Sequence, residues 1–344
     1  MEKPKPKKPL IMKQKVMKQV VIALIPLSLF SIYLFGWRSL SILIVVNIAG
    51  FLSEYIFAKI YKKQVSTAVF VTNFLFALSM PPAVPYWIAV VGIVFGVVFG
   101  KMVFGGFGRN VFNPALSGRA FVYISFGVPM TAGFVQPASG FPGGFTQWLA
   151  GADAVSRATP LFEFNSGGGV PLLNLITGMT AGSFGETCAI LIIIGGVFLV
   201  VKKAANWRII VSGLLGYLIL QSAFYFGGIE TAINPVYGLF SGSLLFGVFF
   251  MATDPISSSQ TTDAGRWIFG AMIGVLISLI RVFAIWIEAV TFAILLANMF
   301  APLLDHILKE RKKKLKAKST EGGSSATAGS SAARAADSAA GGTA

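Results

Sequence analysis

The sequence has almost no thiol and almost no imidazole. Cys188 is the only cysteine among 344 residues, and His306 is the only histidine. One thiol cannot close an internal disulfide, nor can it hold an iron–sulfur cluster, which needs several thiolates. One imidazole excludes a haem or metal centre built on several histidines. Any redox chemistry in this chain therefore falls to an organic cofactor. Charge is scarce too. Asp, Glu, Lys and Arg make up 12% of the residues, about half the share of a soluble domain. Acids are the scarcest, 13 against 28 Lys and Arg, for a net charge of +15.

What is abundant is apolar sequence, 55% of the chain. Several runs reach the roughly 20 residues that cross a bilayer. The pattern predicts about ten passages, near 17–36, 38–58, 66–80, 85–104, 113–127, 187–201, 207–226, 238–253, 267–285 and 288–307. The first run follows a lysine-rich start, is long enough to span and lacks a small-residue cleavage site, so it reads as a span rather than a signal peptide. Basic residues then set the sidedness. Lys59, Lys62 and Lys63, Lys101 and Arg109, Lys202, Lys203 and Arg208, Arg266 and the lysines of 309–318 all fall on one side if both termini are cytoplasmic. The positive charge is thus a topological signal, and nucleic acid is not an expected partner. The division is a basic cytoplasmic N-terminus (1–16), a first membrane repeat (17–127) and an extracytoplasmic loop (128–170). A second membrane repeat (171–308) and a basic, then disordered, cytoplasmic tail (309–344) follow.

The two halves share an order of features. Met80-Pro81-Pro82 and Asp254-Pro255 interrupt apolar runs. Trp87-Ile88 and Trp267-Ile268 open the next spans, and Lys101 and Arg281 follow at equal spacing. Asn110 to Leu116 is then echoed by Asn298 to Leu304. Pro-interrupted spans in matching positions of two halves point to a buried site near the repeat interface. Gly92, Gly96 and Gly100, with Gly270 and Gly274, are read as close-packing faces rather than nucleotide loops.

Five acids lie in or beside apolar spans. Glu54, Asp254 and Asp305 are the ion-pathway candidates, because an intramembrane carboxylate is costly unless it is paired or binds a cation. Glu186 and Glu288 lie near span ends and read as interfacial. Asn110, Asn113 and Arg119 surround the start of a short span. Amides can bond both edges of a flat heteroaromatic ring, and they can equally cap a broken helix. In the external loop, Thr159 precedes Pro160, which favours an extended, accessible hydroxyl.

Residues 153–161, Asp-Ala-Val-Ser-Arg-Ala-Thr-Pro-Leu, resemble the flavinylation signature Asp-x-x-Ser-Gly-Ala-Thr. That signature belongs to the Rnf D subunits and the B subunits of sodium-pumping NADH:quinone oxidoreductase. Residues 108–121, 250–255 and 298–305 are similar to the same family, in the same order. The resemblance implies an α-helical, polytopic, urea-transporter-like bundle in a bacterial inner membrane. It implies FMN esterified to Thr159 by a flavin transferase, with Ser156 as part of the signature. It also implies a non-covalent riboflavin near Asn110, Asn113 and Arg119, and ion uptake by Glu54, Asp254 and Asp305. Arg157 stands where the signature has Gly. The expected function is electron transfer between ferredoxin and NAD coupled to Na+ or H+ movement, within an Rnf complex of several membrane subunits surrounded by lipid. The quinone-reducing complex is the alternative. Its B subunit usually has a longer region before the first span, where this chain has about 16 residues. A non-redox channel for a small solute is the alternative from another class, and gives the loop motif no purpose.

Overall fold

The structure, a computed structural model, describes residues 9–151, 159–284 and 288–340. Asp153, Ser156 and Arg157 lie outside the described residues. The chain is a polytopic membrane protein. Among the described residues, five helices are long and apolar enough to cross a bilayer: α1 (Lys15–Phe35), α2 (Arg38–Ile60), α10 (Trp207–Phe226), α13 (Asp263–Phe283) and the Ala289–Leu315 part of α14 (Ala289–Ala340). The other expected passages are shorter. They are α3 (Ala68–Leu78), α4 (Tyr86–Val97) with a π turn over Val98–Met102, α5 (Pro114–Ser125) and α9 (Ala189–Val201). The expected span near 238–253 is α12 (Leu244–Phe246) with a π turn over Gly247–Met251, preceded by α11 (Pro235–Phe240). Small helices α6 (Gly127–Ala132), α7 (Pro160–Asn165) and α8 (Leu172–Thr177) fill the intervening stretch.

The short helices follow from the prolines. An 11-residue α3 rises about 16 Å, half of the hydrocarbon core. It stops ahead of Pro81 and Pro82, leaving its last carbonyls without intrahelical donors. A buried return segment supplies them: Gly185 N–H donates to the Leu78 carbonyl at 2.7 Å and Phe184 N–H to the Met80 carbonyl at 3.2 Å. Backbone broken at membrane depth is tolerated when protein re-satisfies it in this way. At the start of α5, Pro114 occupies the first helical position and the Asn113 side chain caps it, accepting from Ala115 N–H at 3.0 Å. The matching proline of the second half behaves differently. Pro302 lies inside α14 without ending it, so the echo of residues 110–116 in 298–304 is one of sequence and not of a helix start. Flanking turns on both sides carry the helix through.

A two-stranded parallel ladder, β1 (Ile11–Met12) on β2 (Val65–Ser66), ties the N-terminal segment to the α2–α3 connection. At the other end, the tail read as disordered is helical here, since α14 continues to Ala340. Its alanines and lysines are strong helix formers, extending a helix already nucleated in the membrane region.

The glycine faces are close-packing devices, as expected. A Cβ on Gly96 would run into the Pro114 carbonyl oxygen, and one on Gly274 into that of Gly213. Neither backbone can retreat without moving a helix. Gly274→Val is therefore expected to destabilise the α10–α13 contact by at least about 1–3 kcal/mol, read as a lowered melting temperature of the detergent-solubilised chain. A Cβ at Gly127 meets nothing within 4 Å, so Gly127→Ala is the neutral control.

Candidate functional site

Two buried recesses flank α5. The first is lined by Met17, Thr72, Lys101, Asn110, Asn113 and Asp254 among others. The π turn after α4 carries Lys101, and a π turn frequently marks a functional position in a helix. Lys101 is 2% exposed. Its Nζ donates to Glu54 Oε2 at 2.5 Å and to Ser66 Oγ at 2.7 Å. Glu54 Oε1 accepts from Ser66 N–H at 2.8 Å and from Ser66 Oγ at 2.7 Å. The β1–β2 ladder holds Ser66 in place for this. Asp254 follows the second π turn and shares the recess with Lys101; its Oδ2 accepts from Ser257 N–H at 2.9 Å and Ser257 Oγ at 2.8 Å. Lys101 is thus ion-paired with Glu54, and it acts on Asp254 only through the charge it brings to the shared recess. Read from sequence as part of a cytoplasmic basic cluster, Lys101 is instead a buried ion-pair partner.

Asn110 and Asn113 line this recess with their amides already engaged. Asn113 Nδ2 donates to the Met251 carbonyl at 3.2 Å while its oxygen caps α5, and Asn110 Nδ2 donates to the Phe112 carbonyl at 3.1 Å. With the Asn298 amide turned to the orientation that satisfies its neighbours, its side-chain oxygen accepts from Asn113 N–H at 3.2 Å, which brings the two echoing segments together. The free room is about 20 Å³, enough for a water and far too little for an isoalloxazine ring. As arranged, these residues do not accommodate riboflavin.

Arg119 does not join the two asparagines. It lies five residues beyond Pro114, about 7–8 Å further along α5, and belongs to the second recess. There it meets two carboxylates that the sequence placed at the membrane interface. Arg119 Nε and Nη2 donate to Glu288 Oε2 and Oε1 at 2.8 and 2.7 Å, a bidentate fork. Arg119 Nη1 donates to Glu186 Oε1. All three side chains are buried. Nothing local in the sequence signals this cluster, because its members are 67 and 169 positions apart.

Thr159 lines the same recess, with Thr180, Ser183 and Phe134. It has extended backbone, φ −68° and ψ 156°, and is the residue before α7. That is the conformation expected before proline. It is buried rather than accessible, however, 8% exposed, and its hydroxyl has no hydrogen-bond partner among the described residues. Arg281, the counterpart of Lys101 in the second half, also lies at this end. It donates to the Gly238 and Ser241 carbonyls at 2.6 and 2.8 Å and stands 3.4 Å from the Cβ position of Gly242, a lining residue. The corresponding basic residues of the two halves therefore lie by different recesses.

Asp305 stands apart from both recesses. Its Oδ1 accepts from Thr261 N–H and Oγ1 at 3.0 and 2.6 Å, and its Oδ2 pairs with Lys309 at 2.7 Å. The structure brings Glu54 and Asp254 to one place and leaves Asp305 at another.

Residues 8–314 match the family described as NQR2, RnfD, RnfE. The B subunit of the Na(+)-translocating NADH-quinone reductase from Pseudomonas aeruginosa (strain LESB58) is 40% identical over 283 residues, covering 80% of this chain and 68% of that protein. The corresponding reductase component from Klebsiella pneumoniae (strain 342) is 39% identical over 298 residues, and that of Ectopseudomonas mendocina (strain ymp) 41% over 283, with the same coverage.

Proposed function

The chain belongs to the NQR2, RnfD, RnfE family, and from that premise we propose that it is a flavin-carrying membrane component of an ion-translocating oxidoreductase complex. The observation that carries the flavin reading is Thr159. The hydroxyl at the acceptor position of the signature is buried, has no hydrogen-bond partner among the described residues and opens on a recess with about 40 Å³ of free room. An unsatisfied buried hydroxyl is uncommon and calls for a reason; an ester bond at that oxygen is one. The room suits a phosphate-sized group and not a tricyclic ring, so the ring would project beyond the recess toward lipid or a neighbouring protein of the complex. The bound FMN would supply one- and two-electron transfer. The protein's part is to anchor it through Thr159, to keep bulk water from the ester with Pro160 and Leu161, and to hold the attachment end of α5 fixed through the Arg119 fork.

Ion movement is assigned to the first recess, where Lys101 pairs with Glu54 and brings its charge beside Asp254. An incoming cation can compensate whichever carboxylate the lysine leaves. Both termini lie in the cytoplasm in this reading, and the two halves, with Lys101 and Arg281 at different recesses, run in opposite directions.

Two complexes fit the family. The motif order is common to the Rnf reading, ferredoxin to NAD, and to the quinone-reducing one. The names of the relatives at 39–41% identity favour NADH:quinone reduction. Purification of the intact complex and assay with reduced ferredoxin plus NAD, against NADH plus quinone, separates them. For the flavin, the denatured chain made with a flavin transferase is expected to fluoresce in a gel and to gain the mass of one FMN less water. Thr159→Ala should remove both signals. Covalent flavin persisting in Thr159→Ala overturns the attachment residue. No covalent flavin in the native chain, despite an active transferase, overturns the flavin reading and favours the small-solute channel.

A further inference from the structure

Two helices end on lysine in the same unusual way. Lys62 and Lys203 have left-handed backbone, with φ 53° and 57°, a conformation that favours glycine and is uncommon for other residues. Each follows the last turn of its helix, α2 or α9. Lys63 N–H donates to the Ala58 carbonyl and Ala204 N–H to the Leu199 carbonyl, both at 2.8 Å, so the two closures are alike. Glycine would make either turn without strain, and the lysine side chains therefore need a reason of their own. The helix dipole favours a cation at such an end, but more charge than that is gathered here. Lys59, Lys62 and Lys63 are all exposed. Lys63 Nζ donates to the Gly105 carbonyl at 2.9 Å, and the exposed Arg109 lies against the same glycine, its Cδ 3.0 Å from the Cβ position. Lys202 and Lys203 are exposed at the end of α9. None of these side chains is ion-paired with an acid among the described residues. Other basic residues on the same side are: Arg208 and Arg266 pair with Asp263, and Lys309 with Asp305.

An exposed aliphatic row leads to each lysine pair. On α2 it is Ile44, Ile48, Leu52, Ile56 and Ile60, 49–65% exposed. On α9 it is Ile190, Ile194, Val197 and Val201, 45–71% exposed. The rows rise about 24 and 16 Å, and one leaflet is about 15 Å deep, half of a hydrocarbon core of roughly 30 Å. We propose that each half binds one anionic phospholipid at this device. The headgroup phosphate sits on Lys62, Lys63 and Arg109 in the first half and on Lys202 and Lys203 in the second. The acyl chains lie along the aliphatic rows. The combination selects the occupant. A free phosphate or an acidic protein surface would answer the lysines and leave the rows unused, and a zwitterionic lipid would answer the rows and bring no net countercharge. Lysine stems lie on apolar surface while their ammonium groups reach headgroup depth, and basic clusters directly beside a span attract anionic lipid. The inference rests on neither the flavin nor the ion reading.

The test uses the full chain, purified in mild detergent, stripped of lipid and titrated with dioleoylphosphatidylglycerol. Native mass spectrometry counts the lipids bound. Two saturable adducts are expected, weakening as ammonium acetate rises, with dioleoylphosphatidylcholine bound about tenfold more weakly. Lys62→Gly with Lys63→Gln should weaken one adduct by about fivefold for each lysine removed, and Lys202→Gln with Lys203→Gly the other. Each glycine relieves a left-handed turn, so the melting temperature of the lipid-free variants should not fall, which separates lost binding from lost folding. Should a double variant unfold, Lys63→Gln and Lys202→Gln alone serve in its place. Adducts unchanged in both variants overturn the proposal, since the lysines would then only close their helices. Equal binding of the phosphatidylcholine overturns it as well. Displacement of the lipid by an equal concentration of inorganic phosphate would make a free anion the ligand. Variants that keep both adducts but lose the other subunits of the complex would assign the lysines to a protein partner, again against the proposal.

Discussion

Replacing Arg119 by Met is expected to cost the protein most or all of its stability. The guanidinium holds Glu186 and Glu288 together inside the bundle. Without it two buried carboxylates face each other with no cation between them. Breaking one buried pair by removing a partner costs about 3–5 kcal/mol, and here one substitution breaks two. That approaches the whole stability of a typical domain, about 5–15 kcal/mol. The expected result is aggregation or an early, broad melt of Arg119→Met in detergent. The acids, not the lost arginine atoms, are the cause, so adding Glu186→Gln and Glu288→Gln in the Arg119→Met background should restore a folded, monodisperse protein. If Arg119→Met alone melts like the native chain, the cluster does not hold the two halves together. Because Glu186 and Glu288 come from the segments that lead into α9 and α14, this is also a test of how those helices are fixed to α5.

Lys101→Met is the second large effect. Glu54 keeps its two bonds from Ser66 but loses its only cation, and Asp254 loses the charge that shares its recess. A loss of about 3–5 kcal/mol is expected, again seen as a lowered melting temperature. Glu54→Gln should be far milder, because Lys101 then still has Asp254 nearby. The double variant Lys101→Met/Glu54→Gln should recover much of the loss. The ordering, Lys101→Met much worse than Glu54→Gln, follows from a cation that pairs with one acid and brings its charge beside a second. Equal losses would mean that Glu54 and Lys101 form an isolated structural pair. In the assembled complex Glu54→Gln should lower ion-coupled turnover while leaving covalent flavin near normal, since the second recess is untouched. Unchanged ion dependence would reduce Glu54 to a structural role.

The sequence by itself determined what depends on neighbours along the chain. Apolar runs placed most of the spans within a few residues, although the run near 238–253 is divided between α11, α12 and a π turn and α14 runs on to Ala340; prolines placed the breaks after α3 and at α5, and small residues every fourth position marked the α4–α5 and α10–α13 contacts. Those features act through the helical period and through backbone chemistry, both of which are local. The tertiary structure alone decided where the charges went. Lys101 read as a cytoplasmic marker, and Glu186 and Glu288 as interfacial, because each stands at the edge of an apolar run. Whether such a residue reaches water or turns inward depends on what the opposite side offers. For Lys101 that is Glu54, 47 positions away, and for Arg119 it is two acids 67 and 169 positions away. Pro302 shows the same limit in the backbone: its flanks resemble those of Pro114, yet one proline starts a helix and the other sits inside one. A motif carries its local preference, but burial, pairing and the fate of an interrupted hydrogen bond are settled by segments that the chain brings together only when it folds.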